Sequence, residues 1–504
     1  MRELLGDKDN RRLQLIETIY LNPGIVLDEL AKKFSLTVMQ VQIDIGFLNQ
    51  PLAPLEIEIT KDKKCYLHIP QHLSTKVIYQ IFLENNINFR LLEAILYNEY
   101  DHYEELAKAL FISQATLKRV MTFINKCFKP HGITIKSRPV RITGDEANIR
   151  AFYLFYLQER YPDDQYPFDE RICVFSKDLV QLFMEKFPKD KFNYASKMRL
   201  IRYVAVSLLR ETKKHEIQHE AIPEELKTLV MDEINRYSNR EKFEYIFKLK
   251  LTPQLYQGLF LQYINNGHAF SYRDYQERVS LIKENQEIYK GLQKTVESIA
   301  SQFGISLSNS DYLLWRLYNV MSIGARLSIT PYVIYPNRKI FLLFNQSLKT
   351  TILSQSKDLF NQYVPRVAEK NEAYFYEFLY LLVTHWPDFY KTIIYQVPPC
   401  EIGLFFNSDI EHMHYMKTNL LFMYHDKINV TIIDSEELTD FEEKSRSLDF
   451  VMINFILPEQ IKLKVPYISV VDGLSENEGK QIRQLIEQIY YEKMTLQRAN
   501  ITYK

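Results

Sequence analysis

Eight lysine and arginine residues, and no aspartate or glutamate, lie between Leu106 and Gly144. The chain as a whole is balanced, with 63 basic and 63 acidic residues among 504, so this basic stretch is a local feature. Because DNA phosphates attract lysine and arginine side chains, such a stretch predicts contact with nucleic acid. Basic solvated helices also occur on other proteins, so the interpretation depends on the elements that carry the charges.

The charges fall on a predicted helix-turn-helix. Apolar residues at helical spacing end at Leu110, and Ser113 then offers an oxygen that can cap a second helix. That helix runs from about Gln114 to Cys127 and turns four apolar residues inward at i, i+3, i+4 and i+7: Leu117, Val120, Met121 and Ile124. Its outer face is polar and basic, which is typical of a helix that enters the major groove of DNA.

A predicted β-hairpin follows this helix. Ile133, Ile135, Val140 and Ile142 alternate with polar residues around the turn at 137–139, so the whole unit reads as a winged helix-turn-helix. We predict that duplex DNA is contacted by the polar side chains of the second helix and the wing: Gln114, Thr116, Lys118, Arg119, Lys126, Lys136, Arg138 and Arg141.

The first 70 residues repeat this unit. At an offset of 76 without gaps, residues 29–32 fall on 105–108, both with the sequence Glu-Leu-Ala-Lys, and Ile57 falls on Ile133. The repeat therefore predicts that residues 11–70 form a first winged domain, in which the helix from Thr37 to Asn49 would be the one that enters the DNA groove. This helix carries Gln40 and Gln42 as candidate DNA contacts, includes Asp44 and has no lysine or arginine, so we expect the second copy to bind DNA more strongly.

The remainder of the chain divides by pattern into two helical blocks and an α/β end. The predicted helices lie near Ile172–Phe187, Met198–Glu216, Pro223–Tyr237, Pro253–Asn265, Tyr275–Phe303, Ser310–Arg326, Phe341–Tyr363 and Asn371–Thr384. Apolar runs at Glu401–Phe406, Ile428–Ile433, Phe450–Phe455 and Tyr467–Val471 alternate with helical segments, which predicts a small parallel sheet before a last helix at Glu476–Glu492. We predict a mainly α, multidomain fold with boundaries 1–72, 73–165, 166–270, 271–395 and 396–504.

Several function classes are disfavoured by composition. The four cysteines are far apart and form no CxxC motif, so buried free thiols are expected and a zinc knuckle is not. No run approaches the roughly 18 apolar residues of a membrane helix, and the first twelve residues lack an apolar signal core. We expect a cytoplasmic protein that does not enter the membrane and needs no cofactor.

Residues 215–219 read His-Glu-Ile-Gln-His, which matches the zinc-protease pattern HExxH. Lys213 and Lys214 precede the motif and would repel a cation, and no third ligand stands at an obvious spacing. We expect a solvent-exposed helix end here, with no metal site and no enzymatic activity.

The order of these elements resembles the Mga family of global virulence regulators, which includes the anthrax toxin activator. The resemblance covers essentially the whole chain and rests on this architecture together with the Glu-Leu-Ala-Lys sequence, Ser113, Thr116 and Arg119 of the helix-turn-helix, and the wing. It implies that the helical blocks are phosphotransferase-system (PTS) regulation domains and that the end is similar to a phosphotransferase IIB domain. It also implies a homodimer, phosphocarrier proteins as partners, and regulatory phosphohistidines, for which the candidates are His215, His219 and His385.

One position departs from the IIB pattern. Asn407 and Ser408 stand at the end of the first predicted strand, where that domain carries its reactive cysteine, whereas Cys400 precedes the strand. The function predicted from the sequence is a DNA-binding transcriptional regulator whose helical blocks couple sugar status to dimerisation and DNA binding. The alternatives are a phosphotransferase-related adaptor that does not bind DNA and, third, an HExxH metalloprotease.

Overall fold

The computed structural model describes residues 1–162, 165–185, 194–217, 224–260, 269, 275–276, 283–307, 310–344, 351–389, 392, 398–471 and 473–501. Within these ranges the protein is mainly α-helical with small β-sheets, as the sequence predicts. The chain forms two compact units. The first contains Met1–Thr295, Asn309–Phe341 and Phe360–Leu381, and the second contains Val296–Ser308, Leu342–Leu359 and Leu382–Lys504.

The first unit begins with three helices and a small antiparallel sheet. The helices are α1 (Gly6–Leu21), α2 (Leu27–Lys33) and α3 (Val38–Leu52). The strands β1 (Ile25–Val26), β2 (Glu56–Ile59) and β3 (Lys64–His68) pair in the order β1-β3-β2. A capping box fixes the start of α3, because Thr37 Oγ1 accepts the N–H of Gln40 at 3.2 Å and Gln40 Oε1 accepts the N–H of Thr37 at 2.9 Å.

A second group of helices and a hairpin follow. The elements are α4 (Lys76–Asn85), α5 (Ile87–Tyr97), α6 (Tyr103–Leu110), α7 (Gln114–Phe128), β4 (Ile133–Ser137), β5 (Val140–Gly144) and α8 (Glu146–Arg160). The predicted second helix and its wing are therefore α7 and the β4–β5 hairpin. The Asp145 carboxylate accepts the N–H of Asn148 at 3.0 Å, so the chain passes from the hairpin directly into a capped helix.

The middle of the chain is helical. Its described helices are α9 (Glu170–Met184), α10 (Tyr194–Thr212), α11 (Glu224–Arg236), α12 (Arg240–Phe247), α13 (Pro253–Leu259), α14 (Lys283–Phe303), α15 (Ser310–Gly324), α16 (Asn337–Phe344), α17 (Thr351–Tyr363), α18 (Pro365–Ala368) and α19 (Ala373–His385).

Several of these helices differ from the sequence prediction. Helix α10 ends at Thr212 rather than Glu216, because Lys214 adopts a left-handed conformation with φ of 61° and the N–H of His215 bonds to the Arg210 carbonyl. The helix expected over Phe341–Tyr363 is replaced by α16 and α17. Helices α12 and α18 were not predicted. The end of the helix expected at Pro253–Asn265 and most of Tyr275–Ile282 lie outside the described residues.

One hydrophobic core runs through the first unit from Met1 to Phe260 and takes in residues 327–334, which follow α15. Glu159 at the end of α8 holds this segment, since its carboxylate accepts the N–H groups of Val333, Ile334 and Tyr335 at 2.6, 2.8 and 3.1 Å. Burial raises the pKa of Glu159 to about 7, while the three N–H donors act in the opposite direction. A segment expected within the second helical block thus packs into the same core as the N-terminal elements.

The second unit contains a parallel sheet, as predicted. Its strands β6 (Cys400–Phe405), β7 (Ile428–Ile432), β8 (Phe450–Ile453) and β9 (Tyr467–Ser469) lie in the order β7-β6-β8-β9, with helices α20 (Ile410–Tyr424), α21 (Leu438–Ser445) and α22 (Glu476–Ile501). Cys400 is the first residue of β6 rather than a residue before it, and its side chain is buried. Among the described residues, no helix combines the length and apolar character needed to cross a membrane.

Candidate nucleic-acid interface

Helix α7 is positioned by its cap and its apolar face. Ser113 Oγ accepts the N–H of Thr116 at 3.1 Å, and the preceding turn is closed by a bond from the Ile112 N–H to the Ala107 carbonyl at 3.0 Å. The predicted inward residues, Leu117, Val120, Met121 and Ile124, are all buried. Lys118, Arg119 and Lys126 are left on the exposed side. The helix therefore presents a basic outer surface, as its sequence spacing requires.

The β4–β5 hairpin is fastened to α7 by Asn125. Its side chain donates to the Ile135 carbonyl at 3.1 Å and accepts the Ile135 N–H at 2.7 Å. Lys136 and Arg138 are exposed on this hairpin. Among the described residues, none of the exposed cations of α7 and the hairpin forms an ion pair with a carboxylate: Lys118, Arg119, Lys126, Lys136 and Arg138. These five charges are thus available to an external anion.

Arg141 is placed differently from the other predicted contacts. It lies directly across the hairpin from Lys136, but it is partly buried and its Nη1 lies 3.8 Å from Glu99 Oε2. Like charges opposite each other on antiparallel strands repel, so the carboxylate offsets this repulsion on one side of the pair. The structure therefore groups Lys136 with the exposed cations and Arg141 with an internal carboxylate.

Two predicted polar contacts serve the helix caps. The Thr116 hydroxyl lies 2.9 Å from Ser113 Oγ, and the Gln40 side chain closes the capping box of α3. Gln114 and Gln42 are exposed and make no side-chain hydrogen bond within the described residues. The amides of Gln114 and Gln42 thus remain open to solvent, whereas Thr116 and Gln40 are held locally.

Helices α2 and α3 with their sheet reproduce the geometry of α6, α7 and the hairpin. Ser35 and Phe111, which are 76 positions apart, both adopt left-handed conformations in the turn, with φ of 53° and 58°. Asn49 makes the same two bonds to Ile57, at 2.9 and 2.8 Å, that Asn125 makes to Ile135. Since Ile57 corresponds to Ile135 by these bonds, the gapless pairing of Ile57 with Ile133 was wrong by two residues, and the second copy has two additional residues before its hairpin.

The acidic residue of α3 does not face outward. Asp44 is buried, and its carboxylate accepts bonds from Arg11 Nη2 at 2.7 Å and Arg12 Nε at 2.9 Å. This carboxylate is therefore neutralised inside the unit. The outer side of α3 instead exposes three apolar side chains that were not among the predicted contacts, Met39, Ile43 and Phe47. Their spacing of four residues was the available signal.

The candidate regulatory histidines lie in separate places. The expectation of a solvent-exposed helix end at His215 was wrong: its side chain is about nine-tenths buried, and its Nε2 lies 2.5 Å from Glu99 Oε1. Burial lowers the pKa of His215, the nearby Arg210 charge lowers it further, and Glu99 acts in the opposite direction. His385 ends α19 with its Nδ1 2.7 Å from Thr384 Oγ1, and His219 lies outside the described residues.

A buried charged cluster near His215 joins α8 to α10. Arg150 pairs with Glu211 at 2.7 Å, and Arg210 pairs with Glu146 at 2.7 Å. All four side chains are at least nine-tenths buried. Lys213 adds a bond from its Nζ to the Leu96 carbonyl at 2.7 Å, and burial lowers its pKa to about 8. Sequence spacing could indicate only the Glu146–Arg150 pair, four residues apart, because the two pairs that join α8 to α10 link residues more than 60 positions apart.

The HExxH segment does not lie on a helix in its described part, residues 215–217. Within the described ranges, no group of three histidine, cysteine, aspartate or glutamate side chains is arranged to hold a metal ion.

Comparison with known proteins places the helix-turn-helix unit in a family. Residues 71–157, which span α4 to most of α8, match the Mga helix-turn-helix domain. Over 482 residues the chain is 20% identical to a trans-acting regulator of Streptococcus pneumoniae, covering 94% of this chain and 97% of that protein. It is 22% identical to the capsule synthesis positive regulator AcpB of Bacillus anthracis, over 62% of this chain and 66% of AcpB.

A third relative is also described as a regulator of gene expression. The anthrax toxin expression trans-acting positive regulator of Bacillus anthracis is 23% identical over 207 residues, which are 40% of this chain and 43% of that protein. The relatives are regulators of gene expression rather than enzymes. Residues 71–157 thus match the Mga helix-turn-helix domain, and over most of its length the chain is similar to a trans-acting regulator.

Proposed function

We propose that the protein regulates transcription of virulence-type genes by binding duplex DNA chiefly through α7 and the β4–β5 hairpin. One observation carries the proposal: five exposed cations on these two elements lack carboxylate partners among the described residues. When such cations bind a phosphate backbone, they release its condensed counterions, and this release favours association. Helix α7, with Lys118 and Arg119 outward, would lie in the major groove, and Lys136 and Arg138 of the hairpin would reach the flanking phosphates.

The two helix-turn-helix units contribute unequally in this proposal. Lys118 and Arg119 occupy the positions of Gln42 and Ile43 in α3, so the phosphate-binding charge is concentrated in the second unit. Gln42 is available for a base contact, while Gln40 is engaged in its capping box. The first unit would add recognition rather than charge.

A salt titration of DNA binding tests the proposal. Binding of a duplex by the full chain should weaken steeply with salt, and Arg119→Ala should flatten the logarithmic slope by about one unit per lost phosphate contact. Gln42→Ala is the matched control at the neighbouring, uncharged position of the first unit and should leave the slope unchanged. Binding that is independent of salt, or an equal change of slope from both substitutions, would contradict the proposal and favour a non-DNA-binding adaptor.

The proposal includes a homodimer formed through the second unit. Helix α20 exposes Tyr415 and Phe422, two turns apart on one face, with exposed fractions of 61% and 76%. Burial of such aromatic side chains is a common source of association free energy. Burial also raises the pKa of the Cys400 thiol to about 12, which supports a structural role for this unit rather than phosphoryl transfer through a thiolate. Deletion of residues 400–504, and the milder change Phe422→Ser, should both shift sedimentation towards monomer; a dimer that persists in both would exclude this interface.

The regulatory part of the proposal concerns phosphorylation by phosphocarrier proteins of the phosphotransferase system. His215 connects the end of α10 to Glu99, so a phosphate on its Nε2 would replace that contact with charge repulsion. Comparing His→Ala with His→Asp at positions 215, 219 and 385 by promoter output separates a switch from a structural residue. Identical output from Ala and Asp at all three positions would remove histidine phosphorylation from the mechanism.

A further inference from the structure

The outer face of α3 is apolar and uncharged. Met39, Ile43 and Phe47 recur every four residues with exposed fractions of 70%, 47% and 52%. Gln42 and Gly46 lie on the same face and are also exposed. A surface helix normally places charged residues on this side, so three large apolar side chains in line indicate a contact with another molecule.

This face occupies the place of the basic face of α7. The left-handed turn residues and the paired asparagine bonds described above show that α3 holds the same position in its unit as α7 holds in the second unit. By this correspondence Met39 and Ile43 take the positions of Ala115 and Arg119. If α7 faces a major groove, the equivalent face of α3 is the one that this fold would present to a groove as well.

The charges around α3 favour a polyanionic occupant over an apolar protein surface. The one acidic residue of α3, Asp44, is turned inward and neutralised by Arg11 and Arg12. At the edge of the apolar face, the ring of Phe47 lies under two cations, with Lys8 Nζ at 5.4 Å and the Arg12 guanidinium carbon at 4.7 Å from its centroid. Lys8 is exposed at this border, whereas Arg12 is largely buried and paired with Asp44. An apolar strip bordered by an exposed cation is complementary to a groove floor bordered by phosphates.

The chemistry of the strip then selects the base pairs. In the major groove only thymine offers a methyl group, which apolar side chains contact, and adenine offers the N6 donor and N7 acceptor that a glutamine amide matches. Guanine is matched by arginine or lysine, which α3 lacks and α7 supplies in Arg119. We propose that α3 reads A·T pairs, with Met39 and Ile43 against thymine methyl groups and Gln42 on adenine, while α7 provides the charge. This inference depends on the proposed DNA-binding function.

The experiment removes the thymine methyl groups from the DNA and leaves the base-pairing sequence unchanged. An A·T-rich duplex and the same duplex with deoxyuridine in place of thymidine are compared for binding to the full chain. Wild type should bind the deoxyuridine duplex at least about fourfold more weakly, the value for one lost methyl contact. Ile43→Ser should reduce this ratio towards one, and a Met39→Ser/Ile43→Ser double variant should abolish it. Because deoxyuridine also changes DNA shape, the difference between wild type and variant is the decisive quantity.

The matched control is Val174→Ser, which replaces an apolar side chain of α9 with a similar exposed fraction, 45% against 47% for Ile43. It should keep the full methyl dependence. Salt-dependent binding with equal affinity for both duplexes would overturn the inference and leave the proposed function intact. Salt-independent binding, by contrast, would remove the proposed function itself. An Ile43→Ser variant that changes the oligomeric state but keeps the methyl dependence would assign this face to a protein contact and would also overturn the inference.

Discussion

The Nε2 atom of His215 lies 2.5 Å from Glu99 Oε1, and the second carboxylate oxygen of Glu99 lies 3.8 Å from Arg141 in the hairpin. The residue that follows α10 is thus connected through one carboxylate to the element proposed to contact DNA phosphates. A change in the protonation or modification of His215 would therefore alter its contact with Glu99, and through Glu99 the position of Arg141 in the hairpin.

We predict that His215 makes the protein less stable in mild acid. Burial holds its folded-state pKa below the ordinary value, so the unfolded chain binds the proton more readily. The stabilisation is therefore present above pH of about 6.5 and is lost as the pH falls below it. His215→Gln, which keeps a hydrogen-bonding side chain but cannot titrate, should show a smaller fall in melting temperature between neutral and acid pH than wild type. His414, exposed on α20, is the control histidine, and an equal effect of His414→Gln would refute the assignment.

We predict that Arg138 and Arg141 differ in their effects on DNA binding although both belong to the hairpin. Arg138 is exposed and has no ion pair among the described residues, whereas Arg141 is partly buried and has Glu99 nearby. Arg138→Ala should flatten the salt dependence by about one unit, as expected for one phosphate contact. Arg141→Ala should change the slope by clearly less, in the same titration. A larger effect from Arg141 would mean that the hairpin rearranges on DNA and releases it from Glu99.

We predict that the buried pair Arg150 and Glu211 is strongly coupled. Arg150→Met leaves the Glu211 carboxylate buried without its 2.7 Å partner and should lower the free energy of unfolding by about 3–5 kcal/mol. Glu211→Leu introduced together with Arg150→Met should cost less than the sum of the two single changes. Denaturant unfolding of the four proteins of this cycle measures the coupling energy, which should exceed about 1 kcal/mol. Simple additivity would contradict the pairing.

We predict that Glu159 fastens residues 327–335 to the first unit. In Glu159→Gln one carboxylate oxygen becomes an NH₂ group, which cannot accept the N–H of Val333 or its neighbours. At pH 8, where a carboxyl with a pKa of about 7 is largely ionised, the change should cost about 1–3 kcal/mol of stability. Limited proteolysis should then cut faster within 327–335. Unchanged protection of this segment would show that its apolar residues alone retain it.

Elements that depend on interactions between near neighbours in the chain could be predicted from the sequence alone. The start of α7 follows from Ser113 three residues before Thr116, and its buried face follows from apolar residues spaced three and four apart. The alternation of residues in β4 and β5 and the apolar runs of β6 to β9 are likewise local signals. For this reason the basic outer face of α7 and the parallel sheet of the second unit could be predicted without coordinates.

Which charged side chains remain available to an external partner depends on the packing of distant parts of the chain. Asp44, an apparent obstacle on α3, is neutralised by two arginines more than 30 residues away. Arg141 is drawn towards Glu99, and His215, expected in solvent, is buried against the same carboxylate. Spacing along the chain carries no information about these pairs, because charge pairing and burial depend on which distant residues the packed helices bring together.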